Sequence, residues 1–367
     1  MEVKTTKEAL LEGIQIVQNA VSQKSSLPIL SNVLLDTNKD TLTLTATDLD
    51  IGISFNIPLL VEQVGAITIP ARKFFDIVKA LPDGSEIALT VKKNNFVSIK
   101  SGKAQFKIIG LPKEEFPQLP VFKNNDTITV KQKILKEMLN LTDFAISRDD
   151  SRFILTGIYF SIKGDKLKVV ATDGRRLAVS EKKLEKKTLV NRSLVIPIKA
   201  VQEVKRMLGD EGEIEIKFSE NQISFSFENC YVLSRLIEGE YPNYKNVIPE
   251  KRGDEIRIDR EKFLSATRRA SIFTDQDSMA IKLDIKKKKV TISKNTPYLG
   301  EAKEEIDADY TGENDMEIGF NPRYLIDVLK NLSDQEIAFE VNGADKPGVV
   351  RRGGEYTYVV LPMQITQ

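Results

Sequence analysis

The feature that most constrains this chain of 367 residues is an internal repeat, because one structural unit is written three times in succession. Each copy opens with apolar residues at helical spacing, continues through alternating residues typical of strands, and then adds a second helical stretch and further strands. The predicted helices cover residues 7–22, 71–81, 131–147, 198–208, 259–275 and 323–332. We therefore predict three similar domains, at residues 1–125, 126–252 and 253–367.

Prolines mark the same place in each copy. Pro70, Pro197 and Pro322 recur at intervals of 127 and 125 residues, each at the predicted start of a helix. The first turn of a helix tolerates proline, because the N–H that proline lacks has no partner there. The strand patterns alternate and are joined by short turns, which favours hairpins over parallel crossovers. The predicted fold class is α+β, with two helices packed on antiparallel sheets in each domain.

The composition excludes several kinds of chemistry. The chain has no histidine, so Ser-His-Asp and Cys-His catalysis and histidine metal sites are ruled out. Cys230 is the single cysteine and lies in an alternating segment, where a buried structural thiol is expected. No secretory signal or membrane span is visible in the sequence. Carboxylates, hydroxyls, Lys and Arg remain available for chemistry, and we expect a cytoplasmic protein.

Basic charge is concentrated on the predicted helices. They carry a net charge of +6, so the remainder of a chain with net charge +1 carries −5. Helices tolerate Lys and Arg well, which is the simpler explanation. A repeat that sets its helices on equivalent faces would instead form a shared basic surface for phosphates, without sequence preference. The candidate DNA-binding residues are Lys24, Arg72, Lys79, Arg148, Arg152, Lys199, Lys205 and Arg206.

The first and third units carry opposite charge on their strands, which suggests head-to-tail pairing. Pairing within one chain would close a ring of three domains, and pairing between two chains would close a ring of six. Ordinary solvated strand faces are the alternative. The candidate interface residues are Lys103, Phe106, Lys107, Ile272, Phe273, Glu301, Glu304 and Glu305.

A short hairpin in the middle of the chain, at residues 170–178, carries an Asp-Gly turn followed by two arginines. The Thr-Asp pair of this turn also occurs 125 residues earlier, at Thr47 and Asp48, where the sequence then differs. We therefore interpret Asp173 as a structural turn residue. Taken alone, the hairpin would be a charged surface turn.

Six short motifs spread over all three repeats are residues 27–32 (LPILSN), 70–77 (PARKFFDI), 171–174 (ATDG), 176–178 (RLA), 239–242 (GEYP) and 358–363 (YVVLPM). Together they resemble one family, the bacterial DNA polymerase III beta subunits, or beta sliding clamps. The resemblance implies a head-to-tail homodimer whose six domains encircle duplex DNA, without catalysis or a cofactor. It also implies that the ring tethers the DNA polymerase III catalytic subunit and other clamp-binding proteins, and is opened by a clamp loader.

The family binds short client peptides in a pocket between its second and third domains. Apolar side chains would hold Leu or Phe of the peptide, and Arg176 or backbone groups its polar end. The chain departs from the family at Arg175, where His is frequent, and at Asn246, where Arg is frequent. The resemblance places the pocket at Leu155, Thr172, Gly174, Arg175, Arg176, Leu177, Pro242, Val247, Asn321, Tyr324, Val360, Leu361, Pro362 and Met363.

Two rival functions follow from the residues. The first is a phosphoryl-transfer enzyme whose carboxylates bind a hard metal ion, which needs no histidine. The second is a monomeric adaptor that uses the peptide pocket without encircling DNA. The carboxylates of the first hypothesis are Asp48, Asp50, Asp149, Asp150 and Asp173.

Overall fold

The structure is a computed structural model that describes residues 1–22, 27–92, 94–120, 122 and 126–365. All six predicted helices are confirmed, although most end earlier than periodicity predicted. The first ends at Val17 and the third at Asn140, and short 3-10 turns follow both. The helices are α1 (Lys7–Val17), α2 (Ala71–Ala80), α3 (Gln132–Asn140), α4 (Ile198–Met207), α5 (Arg260–Ser271) and α6 (Pro322–Asn331).

The described residues also form 25 strands. The first ten are β1 (Glu2–Thr6), β2 (Asn32–Thr37), β3 (Thr41–Thr47), β4 (Ile51–Pro58), β5 (Val61–Gln63), β6 (Ala66–Pro70), β7 (Glu86–Val91), β8 (Phe96–Ser101), β9 (Ala104–Ile109) and β10 (Asp126–Lys131). The next seven are β11 (Gly157–Lys163), β12 (Lys166–Thr172), β13 (Arg176–Lys183), β14 (Asn191–Pro197), β15 (Glu213–Phe218), β16 (Gln222–Phe227) and β17 (Cys230–Arg235). The last eight are β18 (Asp254–Asp259), β19 (Ile281–Lys286), β20 (Lys289–Thr296), β21 (Gly300–Tyr310), β22 (Met316–Phe320), β23 (Glu336–Val341), β24 (Gly348–Arg352) and β25 (Tyr356–Val360).

The chain forms two compact units, each made from two separate stretches. The first comprises Met1–Lys133 and Lys199–Leu236, and the second comprises Ile134–Ile198 and Ile237–Gln367. The middle repeat is therefore divided between the units, which the sequence did not predict. Every strand pairing in the described residues is antiparallel, as the alternation predicted.

In the first unit, helices α1 and α2 pack against each other and two sheets form the framework. One sheet has the strand order β5-β1-β7-β8-β9, and the other has the order β10-β15-β16-β17-β4-β3-β2-β6. The second sheet joins the first and middle repeats through β4 and β17, where Phe55 pairs with Cys230. Leu10, Ile14 and Phe74 bring the apolar faces of the helices into the core, where each is fully buried.

In the second unit, helices α5 and α6 pack against each other beside one sheet of twelve strands. Its order is β14-β11-β12-β13-β25-β24-β23-β18-β21-β20-β19-β22. The middle and third repeats meet where β13 pairs with β25, with Arg176 opposite Val360. The last strand of the chain therefore lies inside the sheet, directly beside the central hairpin.

The helix starts follow local rules with one correction. Asp259 caps α5 through a carboxylate that accepts the Lys262 N–H at 2.8 Å. Pro70 and Pro197 end β6 and β14, and the helices after them begin at the predicted residues, whereas α6 begins one residue earlier than predicted, at Pro322. Proline fixes φ near the value that both conformations accept, so a one-residue shift is tolerated. No helix within the described ranges is long and apolar enough to cross a membrane.

Candidate functional site

The turn between β12 and β13 is held by its own side chains. The Asp173 carboxylate accepts the backbone N–H groups of Arg175 and Arg176 at 2.9 and 3.0 Å. The Thr172 hydroxyl donates to the Arg176 carbonyl at 2.6 Å, and Gly174 has a φ of 84°, which favours glycine. These bonds leave Asp173 committed to the turn.

The turn one repeat earlier has the same geometry. Asp48 accepts the N–H groups of Asp50 and Ile51 at 3.1 and 2.9 Å, and the Thr47 hydroxyl donates to the Ile51 carbonyl at 2.8 Å. Leu49 takes the position of the glycine, with a φ of 80°. The two turns agree with the interpretation of the shared Thr-Asp pair as a structural element.

Arg176 is the central side chain of the site and is only 7% exposed. Its guanidinium donates to Asp173 at 3.0 Å, to Asp327 of α6 at 2.7 Å and to the Phe144 carbonyl at 2.6 Å. It also stacks on the Tyr324 ring, 4.5 Å from the centroid. These internal partners occupy the buried guanidinium and fix the turn to α6. The expectation that Arg176 or backbone groups hold the polar end of a peptide stays a prediction.

The C-terminal segment after β25 is hydrogen-bonded to the turn on one side and to β22 on the other. The Leu361 N–H donates to the Arg175 carbonyl at 2.9 Å, and the Met363 N–H donates to the Gly319 carbonyl at 2.8 Å. A Cβ at Gly319 would lie 2.5 Å from the Met363 carbonyl oxygen, so the close approach requires glycine. The two backbone bonds hold this segment in place beside the turn.

These elements enclose a cavity of about 500 Å³ in the second unit. Its lining is largely apolar, and Arg175 and Asp277 are its charged members. Such a slot suits large apolar side chains of a peptide, with polar groups that fix their orientation. Five of the predicted pocket residues meet here, namely Arg175, Tyr324, Leu361, Pro362 and Met363.

The opposite wall of the cavity comes from the segment after α5 and was missed by the sequence analysis. Asp275 turns this segment by accepting the N–H groups of Asp277 and Ser278 at 3.0 and 2.6 Å. Ser278 in turn contacts the ammonium group of Lys294, which is only 4% exposed and whose pKa burial lowers. Met279 then lines the cavity. The sequence signal that could have identified this wall is the Asp-x-Asp-Ser turn that precedes Met279.

The other predicted pocket residues have different surroundings. Leu155 and Leu177 are buried in an apolar cluster with Val170, Val179 and Tyr241. Asn321 is 8% exposed and caps α6 by accepting the Arg323 N–H at 2.9 Å, so its side chain is committed to the helix. The remaining members are Val360, which is fully buried, Val247, which is 49% exposed, and Pro242, which lines a second cavity.

The basic candidates are on exposed surfaces, but several have internal partners. Lys199 pairs with Asp48, and Arg206 pairs with Glu203 at 2.7 Å. Arg152 donates to the Asp173 carbonyl at 3.1 Å, which places its guanidinium at the turn. The others are Arg72 and Lys79 on α2, Arg148 before β11 and Lys205 on α4, whereas Lys24 lies outside the described residues.

The interface candidates lie on or beside two free strand edges. In the first unit β9 is the last strand of its sheet and carries Phe106 and Lys107, with Lys103 just before it. In the second unit β18 pairs with β21 only at Ala308–Tyr310, so residues 300–307 have β20 as their one described partner. Ile272 is 71% exposed, and Phe273, Glu301, Glu304 and Glu305 complete the set.

Two of the acidic candidates already have partners within the second unit. Glu304 accepts both ends of the Arg269 guanidinium at 2.7 Å, and Glu305 accepts Lys289 at 2.7 Å. These hydrogen bonds lower the pKa of each carboxyl group. Both groups therefore stay charged at neutral pH.

The structure gives little support for catalytic chemistry. The Asp48 and Asp173 carboxylates hold turns, and no cluster of three or more carboxylates suited to a metal ion occurs in the part of the chain that is described. Cys230 is half-buried on β17, and burial raises the pKa of its thiol to about 11. A thiol with such a pKa is a poor nucleophile near neutral pH.

Comparison with known proteins gives consecutive family matches along the chain. Residues 1–120 match the family description "DNA polymerase III beta subunit, N-terminal domain". Residues 129–243 match the central domain of the same family, and residues 245–364 match its C-terminal domain. The three predicted domains are therefore confirmed in number and order.

Individual relatives match over their full length. The beta sliding clamp of Bacillus subtilis is 33% identical, with 100% of this chain and 99% of the relative covered. Its crystal structure aligns with a TM-score of 0.94 at 32% identity over the whole of both chains. A sliding clamp from Bartonella birtlesii, bound to griselimycin, aligns with a TM-score of 0.94 at 35% identity, again over the whole of both chains.

Proposed function

The chain belongs to the DNA polymerase III beta subunit family, the beta sliding clamps, and from that membership we propose a two-chain ring around duplex DNA that holds its clients in the cavity beside Arg175. The protein is a non-catalytic DNA sliding clamp that tethers polymerase to its template. We place the domain boundaries at 1–125, 126–252 and 253–367, and the protein in the cytoplasm.

In the proposed mechanism, a closed ring around the DNA keeps the protein on its template, so that tight binding to the DNA is not needed. A closed ring cannot leave circular DNA by dissociating, so its phosphate contacts can be weak enough for sliding. A client held by a peptide on the ring stays at high effective concentration near the primer end, because rebinding is intramolecular. The exposed residues Arg72, Lys79, Arg148 and Lys199, with the half-buried Lys205, are the proposed phosphate contacts.

The proposed dimer pairs the free edge of β9 with the free part of β21. An unpaired strand edge is a template for another strand, and here the two edges carry opposite charge. Lys103 and Lys107 flank Phe106 on one edge, while Glu301, Glu304 and Glu305 lie on the other. Exposed Ile272 would supply apolar contact at the joint. Such a joint is heterologous, and two copies of it close a dimer.

The observation that carries the tethering function is the apolar cavity of about 500 Å³ bounded by Tyr324, Met279 and the segment Leu361–Met363. A tether needs a site for many clients, and methionine side chains adapt to different apolar partners. We propose that Leu and Phe anchors of client peptides enter this cavity and the adjoining cluster at Leu155 and Leu177. Arg176 and Asn321 would shape the walls without contacting the peptide through their charged or amide groups.

The test of this function is retention on DNA. Protein is loaded on nicked circular DNA by the clamp loader and ATP, and is then exposed to high salt with and without linearisation. Gel filtration of the DNA-bound fraction measures how much protein remains on the DNA. We expect retention on the circular DNA and rapid loss from the linear form. Equal loss from both forms would exclude a topological link and favour the monomeric adaptor.

A further inference from the structure

A second cavity, of about 440 Å³, lies in the second unit on one face of the sheet formed by β14, β11, β12 and β13. Residues 241–245, which precede β18, form its other side. None of the comparisons assigns a role to it. Its lining differs from that of the first cavity, because it is dominated by lysine, tyrosine and small polar side chains.

The sheet face below this cavity changes character along β12 and β13. Side chains at alternate positions share a face of a strand, so residues two apart along β12 point the same way. The face is apolar at Val170, Leu177 and Val179, which belong to the cluster of Leu155 and Tyr241 that we propose to receive client anchors. It becomes charged at the far end. The successive cross-strand pairs are Thr172–Leu177, Val170–Val179, Lys168–Glu181 and Lys166–Lys183.

The described lining of this cavity holds an excess of positive charge, with four lysines against one carboxylate. Glu181 accepts Lys168 at 2.6 Å and Lys166 at 3.0 Å. Burial alone would raise the pKa of Glu181, but these two lysines lower it, so the carboxylate stays ionised. Lys163 and Lys245 have no carboxylate within ion-pair distance among the described residues. Two positive charges are thus available to a ligand.

The tyrosines give the cavity a firm wall next to the client site. Tyr159 stacks on Tyr241 with ring centroids 5.1 Å apart and lies 6.0 Å from the Tyr244 ring. The Tyr159 hydroxyl donates to Ser193 at 3.0 Å. Pro242, between the two ring-bearing residues, is also one of the predicted client residues. The basic cavity and the apolar cluster therefore share one wall.

We propose that this basic cavity binds acidic residues that flank the anchor residues of a client peptide. The proposal rests on the proposed function, because it extends the same peptide along the same sheet face. Six residues separate Thr172 from Lys166, a distance of about 20 Å along a strand. An extended peptide needs about six residues to cover it. Clients with Asp or Glu at about that distance from the anchors would be selected.

Fluorescence anisotropy with labelled peptides tests the proposal on the full-length protein. The basal peptide carries Leu and Phe anchors with neutral Gly-Ser flanks. The test peptides add four Glu residues, or four Gln residues, at either the N-terminal or the C-terminal end. The added residues start five residues away from the anchors. We expect Glu at one end to tighten binding by about three- to tenfold over Gln, the range for a few exposed ion pairs. High salt should remove that gain.

Protein variants separate the cavity from general charge. Lys163→Gln with Lys245→Gln should abolish the gain from Glu and leave the basal peptide unchanged. Lys186→Gln with Lys187→Gln, at two exposed lysines outside the cavity lining, changes the charge equally and should preserve the gain.

Failure of the basal peptide to bind would overturn the proposed client site itself. Normal basal binding with equal affinity for the Glu and Gln peptides would overturn the basic subsite alone. Tripolyphosphate is the probe for a small-anion site. If it bound with dependence on Lys163 and Lys245 while Glu gave no gain, the cavity would take free anions and the proposal would be wrong.

Discussion

Arg176 fixes the relative positions of three segments beside the proposed client cavity. It is a buried charge with two carboxylate partners and one carbonyl, from a turn, a helix and a loop. Burying a charged group costs free energy unless its N–H donors all have acceptors. The planar guanidinium can direct several donors to different acceptors at once, which the lysine ammonium cannot do in the same geometry. The geometry of the client cavity therefore depends on a residue behind its wall.

Arg176→Lys should destabilise the second unit by about 3 kcal/mol, because one ammonium cannot reach Asp173, Asp327 and the Phe144 carbonyl together. Urea denaturation followed by circular dichroism measures the loss. Arg175→Lys is the matched control, since Arg175 is exposed and should be neutral for stability. Equal stability of the two variants would contradict the structural role of Arg176.

At the scale of the element, the C-terminal segment is the least anchored part of the client site. Two backbone hydrogen bonds, to the Arg175 and Gly319 carbonyls, fix its path after β25. Leu361 and Met363 line the cavity from this segment. A small displacement of the segment should therefore change client affinity without affecting the sheets.

Gly319→Ala tests this dependence, since its Cβ would meet the Met363 carbonyl oxygen at 2.5 Å. We expect client peptides to bind about tenfold more weakly by anisotropy, while sedimentation shows an intact dimer. Gly354→Ala is the control, because its Cβ would meet no atom within 4 Å. Deletion of residues 361–367 should weaken client-peptide binding more than Gly319→Ala does, again with an intact dimer. Dissociation of the dimer instead would mean that the pocket is misplaced.

Sequence patterns predicted the helices and hairpins better than the contacts between segments that are distant in the sequence. Helices and hairpins follow from local periodicity, and the matching turns at Asp48 and Asp173 follow from the repeat. The pairing of Arg176 with Val360 follows from no periodic signal, because the two residues lie far apart in the sequence, and only the family resemblance places them in one pocket. The cavity wall at Met279 was missed for the same reason. Its position depends on Lys294, which looked like one surface lysine among many.

In the proposed dimer, the edges of β9 and β21 determine how the two copies assemble. The edge of β9 carries Lys107, and the free part of β21 carries the acidic residues Glu301, Glu304, Glu305 and Asp307. Charge complementarity of this kind accelerates association and fixes orientation more than it adds affinity. The assembly should therefore be sensitive to charge reversal and to salt.

Lys103→Glu combined with Lys107→Glu should weaken the dimer by about tenfold or more, because like charges would face each other across the joint. Analytical ultracentrifugation at low salt measures the dissociation constant. Adding Glu301→Lys and Glu305→Lys to the same chain should restore dimerisation. Lys186→Glu with Lys187→Glu controls for net charge. An unchanged dimer in the first variant would exclude these edges as the joint.

The division of the middle repeat between the two units has a consequence for biosynthesis. Strand β4 lacks one partner until β17 is synthesised, since Phe55 pairs with Cys230. Strand β13 likewise lacks one partner until β25, the last described strand, is synthesised. Until then the nascent chain exposes the open edges of β4 and β13, and open edges are prone to aggregation. The proposed client cavity is completed only by residues 361–364, which follow β25. On the proposed function, a chain that stops before these residues should therefore bind client peptides more weakly than the chain that contains them.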